Sequence, residues 1–257
     1  MKQGDFTQMA QYYINRPAYS IMLLEKLLVC VNDRKIPTNE FQILEVGAGT
    51  GKMTKLLSNL GVKVLAVEPN DAMREEGIKY TQHTPVSWQR GSGENTGVSD
   101  DFADWVIMAS SFHWTDPKQS LPEFSRALKK DSYFTAIWNP RDIKPGSLFE
   151  EIENEIFKIV PELNRVSSGK QNTKNWSEVL VSTGNFEDCF FMECDYIEMM
   201  DKSRYMGAWK SVNDIQAQAG EKRWNQILEM IESKIDHLHM IEIPYKIRAW
   251  TARNTKK

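Results

Sequence analysis

Apolar and polar positions along this chain follow two periods, and their order lays out the elements. Ile43, Leu44 and Val46 form a short apolar run bounded by turn residues, the pattern of a buried strand. Gly47, Gly49 and Gly51 interrupt it. Met53, Leu56, Leu57 and Leu60 then recur at helical spacing up to Gly61, which predicts a helix and its stop. Val62 to Val67 predicts a second buried strand, and Asn70 or Asp71 caps a helix running to about Tyr80. Val86–Arg90, Phe102–Met108 and Tyr133–Trp138 predict three further strands, with a helix over Gln119–Leu128. Ahead of this core, Phe6, Met9, Tyr12 and Tyr13 fall near helical spacing until Arg16-Pro17 breaks it, and Ile21, Leu24, Leu27, Leu28 and Val31 make one stripe. Beyond the fifth strand, helical patterns cover Leu148–Val160, Trp176–Thr183, Arg204–Gln218 and Arg223–Leu238. Cys189–Ile197 alternates like a strand.

The glycines separate several chemistries. Alternate glycines let the backbone turn sharply and approach a ligand with no Cβ in the way. A dinucleotide fingerprint, G-x-G-x-x-G counted from Gly47, needs glycine where Lys52 stands, and a P-loop needs Ser or Thr where Met53 stands. What is present is Glu45-x-Gly47-x-Gly49-x-Gly51. At the tip of the next strand, Glu68 is placed as a carboxylate that can accept two hydrogen bonds from the vicinal hydroxyls of a ribose.

These residues resemble motif I and motif II of the class I S-adenosylmethionine (SAM) dependent methyltransferases. The resemblance implies that Glu45, Gly47, Ala48, Gly49 and Gly51 cradle the amino-acid end of SAM, and that Glu68, Pro69 and Met73 follow as its ribose-side neighbours. A glycine loop with no ligand and an ordinary strand-end carboxylate are the alternatives. Gly91-Ser92-Gly93-Glu94 resembles more loosely the family loop that holds the adenine edge, which implies roles for Ser92, Gly93 and Glu94; a plain polar turn would look much the same. Ala109 to Pro117 is similar to the A-x-x-F-H-W-F-D stretch of the type 11 methyltransferases, including those like trans-aconitate methyltransferase, and places Ser110, Ser111 and Trp114 at the cofactor. Tyr12 to Tyr19 resembles a Y-x-x-x-R-P-x-Y lid segment. In that reading Tyr12 gives an aromatic face and Arg16 a carboxylate partner to the methionine end; the other reading is a docking helix.

The fold implied is α/β: a Rossmann-like, seven-stranded, mostly parallel sheet with helices on both faces, an antiparallel last strand and a helical cap insertion. A single methyltransferase domain over 1–257 would comprise an N-terminal helical lid at 1–38, a SAM-binding core at 42–138, cap elements plus a strand at 139–244, and a closing strand at 245–253.

Methyl transfer needs acceptor, methyl and sulfur held in line, and no Ser/His/Asp or metal constellation is expected. His113 is the single candidate for a catalytic base or an acceptor ligand. Its alternative is a histidine that bonds a loop carbonyl and walls the pocket with Phe112 and Trp114. Asn139, Arg141 and Lys144 follow the fifth strand and would bind an anionic acceptor, or else form a solvated loop. Trp176, Trp209 and Trp224 read as core or pocket wall; His237 and His239 read as surface residues, and His83 carries no signal.

Composition narrows the partners. A length of 257 residues suits one large α/β domain, and a net charge of −3 gives no bulk attraction to nucleic acid or an anionic membrane. No apolar run reaches membrane-spanning length, and the N-terminus lacks a signal-peptide core. Cys30, Cys189 and Cys194 have no metal spacing and suit a reducing cytoplasm. The expectation is a cytoplasmic enzyme, monomer or homodimer, that methylates a small molecule with SAM. The alternatives are a SAM-binding protein without catalysis, serving as partner or sensor, and a protein or nucleic-acid methyltransferase. The acidity and the lack of an N-P-P-Y motif count against nucleic acid. The failed third glycine counts against a nicotinamide oxidoreductase.

Overall fold

Seven strands form one sheet in the order β3-β2-β1-β4-β5-β7-β6. They are β1 (Gln42–Val46), β2 (Lys63–Val67), β3 (Val86–Gln89), β4 (Ala103–Ala109), β5 (Leu128–Trp138), β6 (Phe186–Asp201) and β7 (Met240–Asn254). The computed structural model describes residues 6–165 and 175–256. β1 pairs parallel with β2 and β4, β2 with β3, and β4 with β5, whereas β5 pairs antiparallel with β7. The ion pairs Lys246–Asp195, Arg248–Glu193 and Arg253–Asp188 advance along β7 as they recede along β6, the order of an antiparallel pair. The expected sheet, mostly parallel with its last strands antiparallel, is the one observed.

The helices are α1 (Ile21–Val31), α2 (Lys52–Ser58), α3 (Asp71–Tyr80), α4 (Pro117–Ala127), α5 (Leu148–Ile159), α6 (Trp176–Val181), α7 (Lys202–Lys210) and α8 (Asn213–Ile235). Side-chain caps set several of their starts: Ser20 Oγ accepts from Leu23 N at α1, Asn70 from Met73 N at α3, Asp116 from Lys118 N at α4 and Asp201 from Arg204 N at α7.

The described residues divide into two compact units, one drawn from 18–139, 175–194 and 247–257, the other from 1–17, 140–174 and 195–246. The first holds β1 to β5 over a core that includes Leu44, Val46, Phe112, Phe124, Phe134 and Trp138. The second buries Ile152, Ile156, Trp209, Trp224, Ile227 and Ile231.

Several segments differ from the periodicity. Thr7–Asn15 winds as a 3-10 helix, closed by bonds to residues three back, Arg16 N to Tyr13 O among them. β5 begins at Leu128, because Asp131 adopts φ +55° at a break in the β4–β5 register and lets a charged stretch join the strand. The helix expected over 204–218 ends at Lys210 and restarts at Asn213, and Gly220, at φ 71° and ψ 167°, breaks the restarted helix. α6, grouped by sequence with the cap, packs in the sheet unit: Trp176 stacks on Trp138 at 4.5 Å. Among the described residues no helix is long and apolar enough to cross a membrane.

Candidate active site

The C-terminal ends of β1 and β2 meet through the glycine turn. Gly47 N and Ala48 N both donate to Val67 O, at 2.8 and 3.1 Å. Gly47, Gly49 and Gly51 sit at φ +69°, +57° and +79°, where side-chain-bearing residues are strained. A Cβ on Gly47 would lie 2.7 Å from Ser111 Cβ and Oγ, so this position admits only glycine on two grounds. A Cβ on Gly49 would lie 3.4 Å from Met73 Cε. The turn is a cradle whose floor is bare backbone.

Glu68 ties that cradle to β2. Its Oε2 accepts from Gly49 N at 2.8 Å and its Oε1 from Asn70 N at 2.9 Å. Burial pushes its pKa up, partly offset by those two N–H bonds and by Arg74. Each oxygen keeps a lone pair beyond the one in use, so the carboxylate can still accept from a ligand hydroxyl. Next in the chain Pro69 is exposed, whereas Met73 is buried.

Glu45 lies behind the turn at 1% exposure, opposite Ala66 and Ile107 on the neighbouring strands. Its Oε2 and the Thr54 hydroxyl are both buried, and neither makes a hydrogen bond of ordinary length and angle, although Thr54 lies close enough to favour the ionised form. Burial drives its pKa to about 8, with Thr54 opposing and Glu68 adding to the rise. A protonated Glu45 stands at pH 7 where the sequence alone suggests a carboxylate.

At the end of β4, Ser110 adopts φ +51°, a left-handed conformation costly for serine. Its hydroxyl is hydrogen-bonded to the Tyr19 hydroxyl at 2.8 Å and donates to Asn139 Oδ1 at 3.3 Å; Asn139 Nδ2 donates to Ala18 O at 3.0 Å. Ser111 Oγ donates to Val46 O at 3.2 Å. Expected residues from β4 and β5 are thus joined with Ala18 and Tyr19. Tyr19 falls in the quoted segment, but nothing in the spacing assigns it a partner on β4.

His113 sits in the 3-10 turn Phe112–Trp114, and the Trp138 indole N–H donates to its Nδ1 at 3.2 Å. Indole is a donor only, so the neutral imidazole carries its proton on Nε2. A general base would need Nε2 bare and the proton on Nδ1, opposed to the Trp138 N–H. The Trp138 N–H thus favours the tautomer in which Nε2 is the protonated nitrogen. The sequence reads Trp138 only as a strand residue. The neighbouring Trp114 is 47% exposed, open enough to meet a ligand face.

The loop after β3 is internally bonded. Ser92 Oγ accepts from Glu94 N and Asn95 N, both at 3.3 Å, and Glu94 Oε1 accepts from Asp116 N at 3.0 Å. Gly93 is held against Thr115, whose Cγ2 would lie 2.5 Å from a Cβ there. The three expected residues form one fixed turn abutting the start of α4.

The remaining expected residues, Tyr12, Arg16 and Arg141, belong to the second unit. Tyr12 is half-buried there. Arg16 donates from Nε to Ser211 Oγ at 2.6 Å and from Nη2 to Ser211 O at 2.8 Å, and lies 5.0 Å from the Tyr13 ring centroid. Arg141 Nη2 donates to Glu153 Oε1 at 2.5 Å, and the guanidinium stacks 4.6 Å from the Trp209 centroid. Burial opposes the Arg141 charge, but Glu153 beside it raises the pKa. Lys144 is exposed and paired with Asp142. His83, His237 and His239 are exposed. Among the described residues no three His, Cys, Asp or Glu side chains are grouped to hold a metal ion.

A glycine cradle with no room for a Cβ at Gly47, a strand-tip carboxylate bonded to it and a fixed polar turn beyond β3 follow the ends of β1, β2 and β3 on a Rossmann-like sheet. Residues 44–136 match the type 11 methyltransferase domain. An uncharacterized methyltransferase of Mycobacterium tuberculosis is 31% identical over 135 residues, 52% of this chain and 51% of that protein. An uncharacterized methyltransferase of Staphylococcus carnosus is 33% identical over 146 residues, 50% of this chain and 69% of that protein. A structure described as a type II methyltransferase from Anaeromyxobacter dehalogenans superposes with a TM-score of 0.65 at 16% identity, covering 93% of this chain and 97% of that one, a likeness of fold. The chain spans about half the length (51%) of the curated relatives it first matches. It belongs to the class I SAM-dependent methyltransferase family, whose cofactor is SAM.

Proposed function

We propose that the protein transfers a methyl group from SAM to a small-molecule acceptor. The observation that carries this reading is the bond from Gly49 N to Glu68 Oε2, which fuses the cradle and the hydroxyl-accepting carboxylate into one site at the ends of β1 and β2. SAM supplies a methyl group already activated by a sulfonium. On this reading Gly47, Ala48, Gly49 and Gly51 present backbone to its amino-acid end, with Glu45 neutral behind them. Glu68 accepts from the ribose, beside Pro69 and Met73. Ser92, Gly93 and Glu94 face the adenine, and Ser110, Ser111 and Trp114 close the wall. His113 and Asn139 orient the acceptor by donating hydrogen bonds.

The chain's main catalytic contribution is then positioning, which supplies about 7–11 kcal/mol, whereas a general base would add only ~10²–10⁴-fold. A cytoplasmic setting belongs to the same reading and is supported by three free thiols at Cys30, Cys189 and Cys194.

Thermal melts with S-adenosylhomocysteine, SAM and NADH test it. A ligand at about 100 times its dissociation constant adds ~2.7 kcal/mol, roughly 5–10 °C for a chain of this size. The expected result is a shift with the SAM pair alone, reduced in Glu68→Gln, and transfer of label from methyl-tritiated SAM into small acceptors. A shift with NADH alone overturns the reading.

A further inference from the structure

The cofactor role given to Trp114 does not account for how far its ring stands in solvent. Among the described residues it is the one exposed tryptophan, at 47%; the other seven are buried or half-buried. Leaving a large apolar ring in water forgoes the gain of burying it. The position is also particular: Trp114 ends the 3-10 turn that follows β4, and open α/β sheets bind ligands beyond the C-terminal ends of their strands. Its N–H is bonded to Ser111 O at 3.0 Å, while Phe112 in the same turn is fully buried.

The exposed ring is braced from behind. The His113 imidazole lies 5.0 Å from it, tilted by 42°, and 6.4 Å from Trp138, which stacks on Trp176 at 4.5 Å. Trp138 and Trp176 are buried, so a row of rings runs from the core out to Trp114. A ring held in such a row loses little further freedom when something stacks on it. The polar groups gathered at this loop are the hydroxyls of Tyr19, Ser110 and Ser111, the Asn139 amide and an imidazole that accepts at Nδ1, all uncharged. The cations that could answer an acid are engaged elsewhere. Arg248, opposite Trp138 in the β5–β7 register, is paired with Glu193. Arg141 and Lys144, which follow β5 in the chain, are paired with Glu153 and Asp142. A charged ligand brought to this loop would lose water without gaining a counter-charge.

We propose that the methyl acceptor is a flat, uncharged aromatic ring that stacks on Trp114, its polar substituent met by the neutral groups of this loop. An aromatic pair adds roughly 2–12-fold in affinity beyond the area it buries. Taking the ring to be the acceptor rests on the methyl-transfer reading; the stacking platform itself does not.

Calorimetric titrations of the full chain, first with S-adenosylhomocysteine and then in its presence, test the proposal. The probes are naphthol; decalol, which has the same carbon skeleton and hydroxyl but no flat ring; and naphthoate and naphthylmethylamine, which carry opposite charges. Wild type should bind naphthol roughly 2–12-fold more tightly than each of the other three. Trp114→Ala should remove that preference, and Trp114→Phe, which keeps a ring, should retain most of it. A readout in the wild type needs no variant to fold well: the indole N–H signal of Trp114 should move on addition of naphthol and stay in place with decalol. Equal binding of naphthol and decalol, a preference for either charged probe, an unmoved Trp114 signal or a preference undiminished in Trp114→Ala overturns the proposal. S-adenosylhomocysteine binding without a naphthol preference leaves methyl transfer standing and removes the aromatic acceptor. A naphthol preference in a wild type that does not bind S-adenosylhomocysteine overturns methyl transfer, and the acceptor role with it, and leaves the ring platform standing.

Discussion

Glu45→Gln should stabilise the protein, and increasingly so as pH rises. Glu45 is enclosed in the sheet with no hydrogen bond of ordinary geometry at Oε2, and its folded-state pKa is about 8 against an ordinary 4.5. Below pH 4.5 both folded and unfolded chains carry the proton, and the residue costs nothing by ionisation. Between 4.5 and about 8 the unfolded chain has lost the proton and the folded chain holds it, so stability falls with each rise in pH. Each pH unit in that window removes about 1.4 kcal/mol, so the accumulated penalty near pH 7 is roughly 3 kcal/mol. Glutamine keeps the shape and cannot ionise. For a chain of this size a gain of that order is a rise of roughly 6–12 °C in melting temperature. Melts of both proteins at pH 5, 6, 7 and 8 should give a difference near zero at the acid end that widens upward. A difference that is constant with pH, or a variant less stable at pH 7.5, would refute the neutral Glu45 and mean that its charge is compensated.

Three further outcomes follow from single contacts. Gly47→Ala meets both a positive φ and Ser111 at 2.7 Å; the conformation alone costs about 1–2 kcal/mol, and calorimetry should find S-adenosylhomocysteine binding lost while the fold persists. Trp138→Phe removes the donor on His113 Nδ1, so imidazole nitrogen NMR should find Nε2–H alone in the wild type and a mixture in the variant; an Nδ1–H wild type would restore the base role. Asp104 is fully buried, holding Arg34 at 2.7 Å, Lys129 at 2.9 Å and Gln42 N at 3.0 Å, and Asp104→Ala should cost roughly 2–4 kcal/mol in denaturant unfolding, since both cations still reach solvent.

The parts of this molecule governed by local rules were readable in the chain. The β1 run, the three glycines and Glu68 announce strand, turn and strand-tip carboxylate because each demand is met within a few residues. Boundaries slipped where tertiary packing overruled composition: Lys129 to Ser132 look like a polar link, yet a left-handed Asp131 lets them join β5. Trp176 lies in a stretch that reads as insertion, and only the fold brings it against Trp138, whose own role on His113 is equally long-range.

The knot at Ser110 bears on how the protein can be cut. Two of the groups that hold this left-handed serine and its partner Asn139 come from Ala18 and Tyr19, just ahead of α1. A fragment trimmed to begin at α1 would keep every strand and still lose the Tyr19 hydroxyl and the Ala18 carbonyl. Ser110 would then be free to relax to an ordinary conformation, and the ends of β4 and β5 would lose a shared anchor. The smallest faithful version of this site therefore starts before its first full helix, and domain-swapping experiments should place their junctions upstream of position 18.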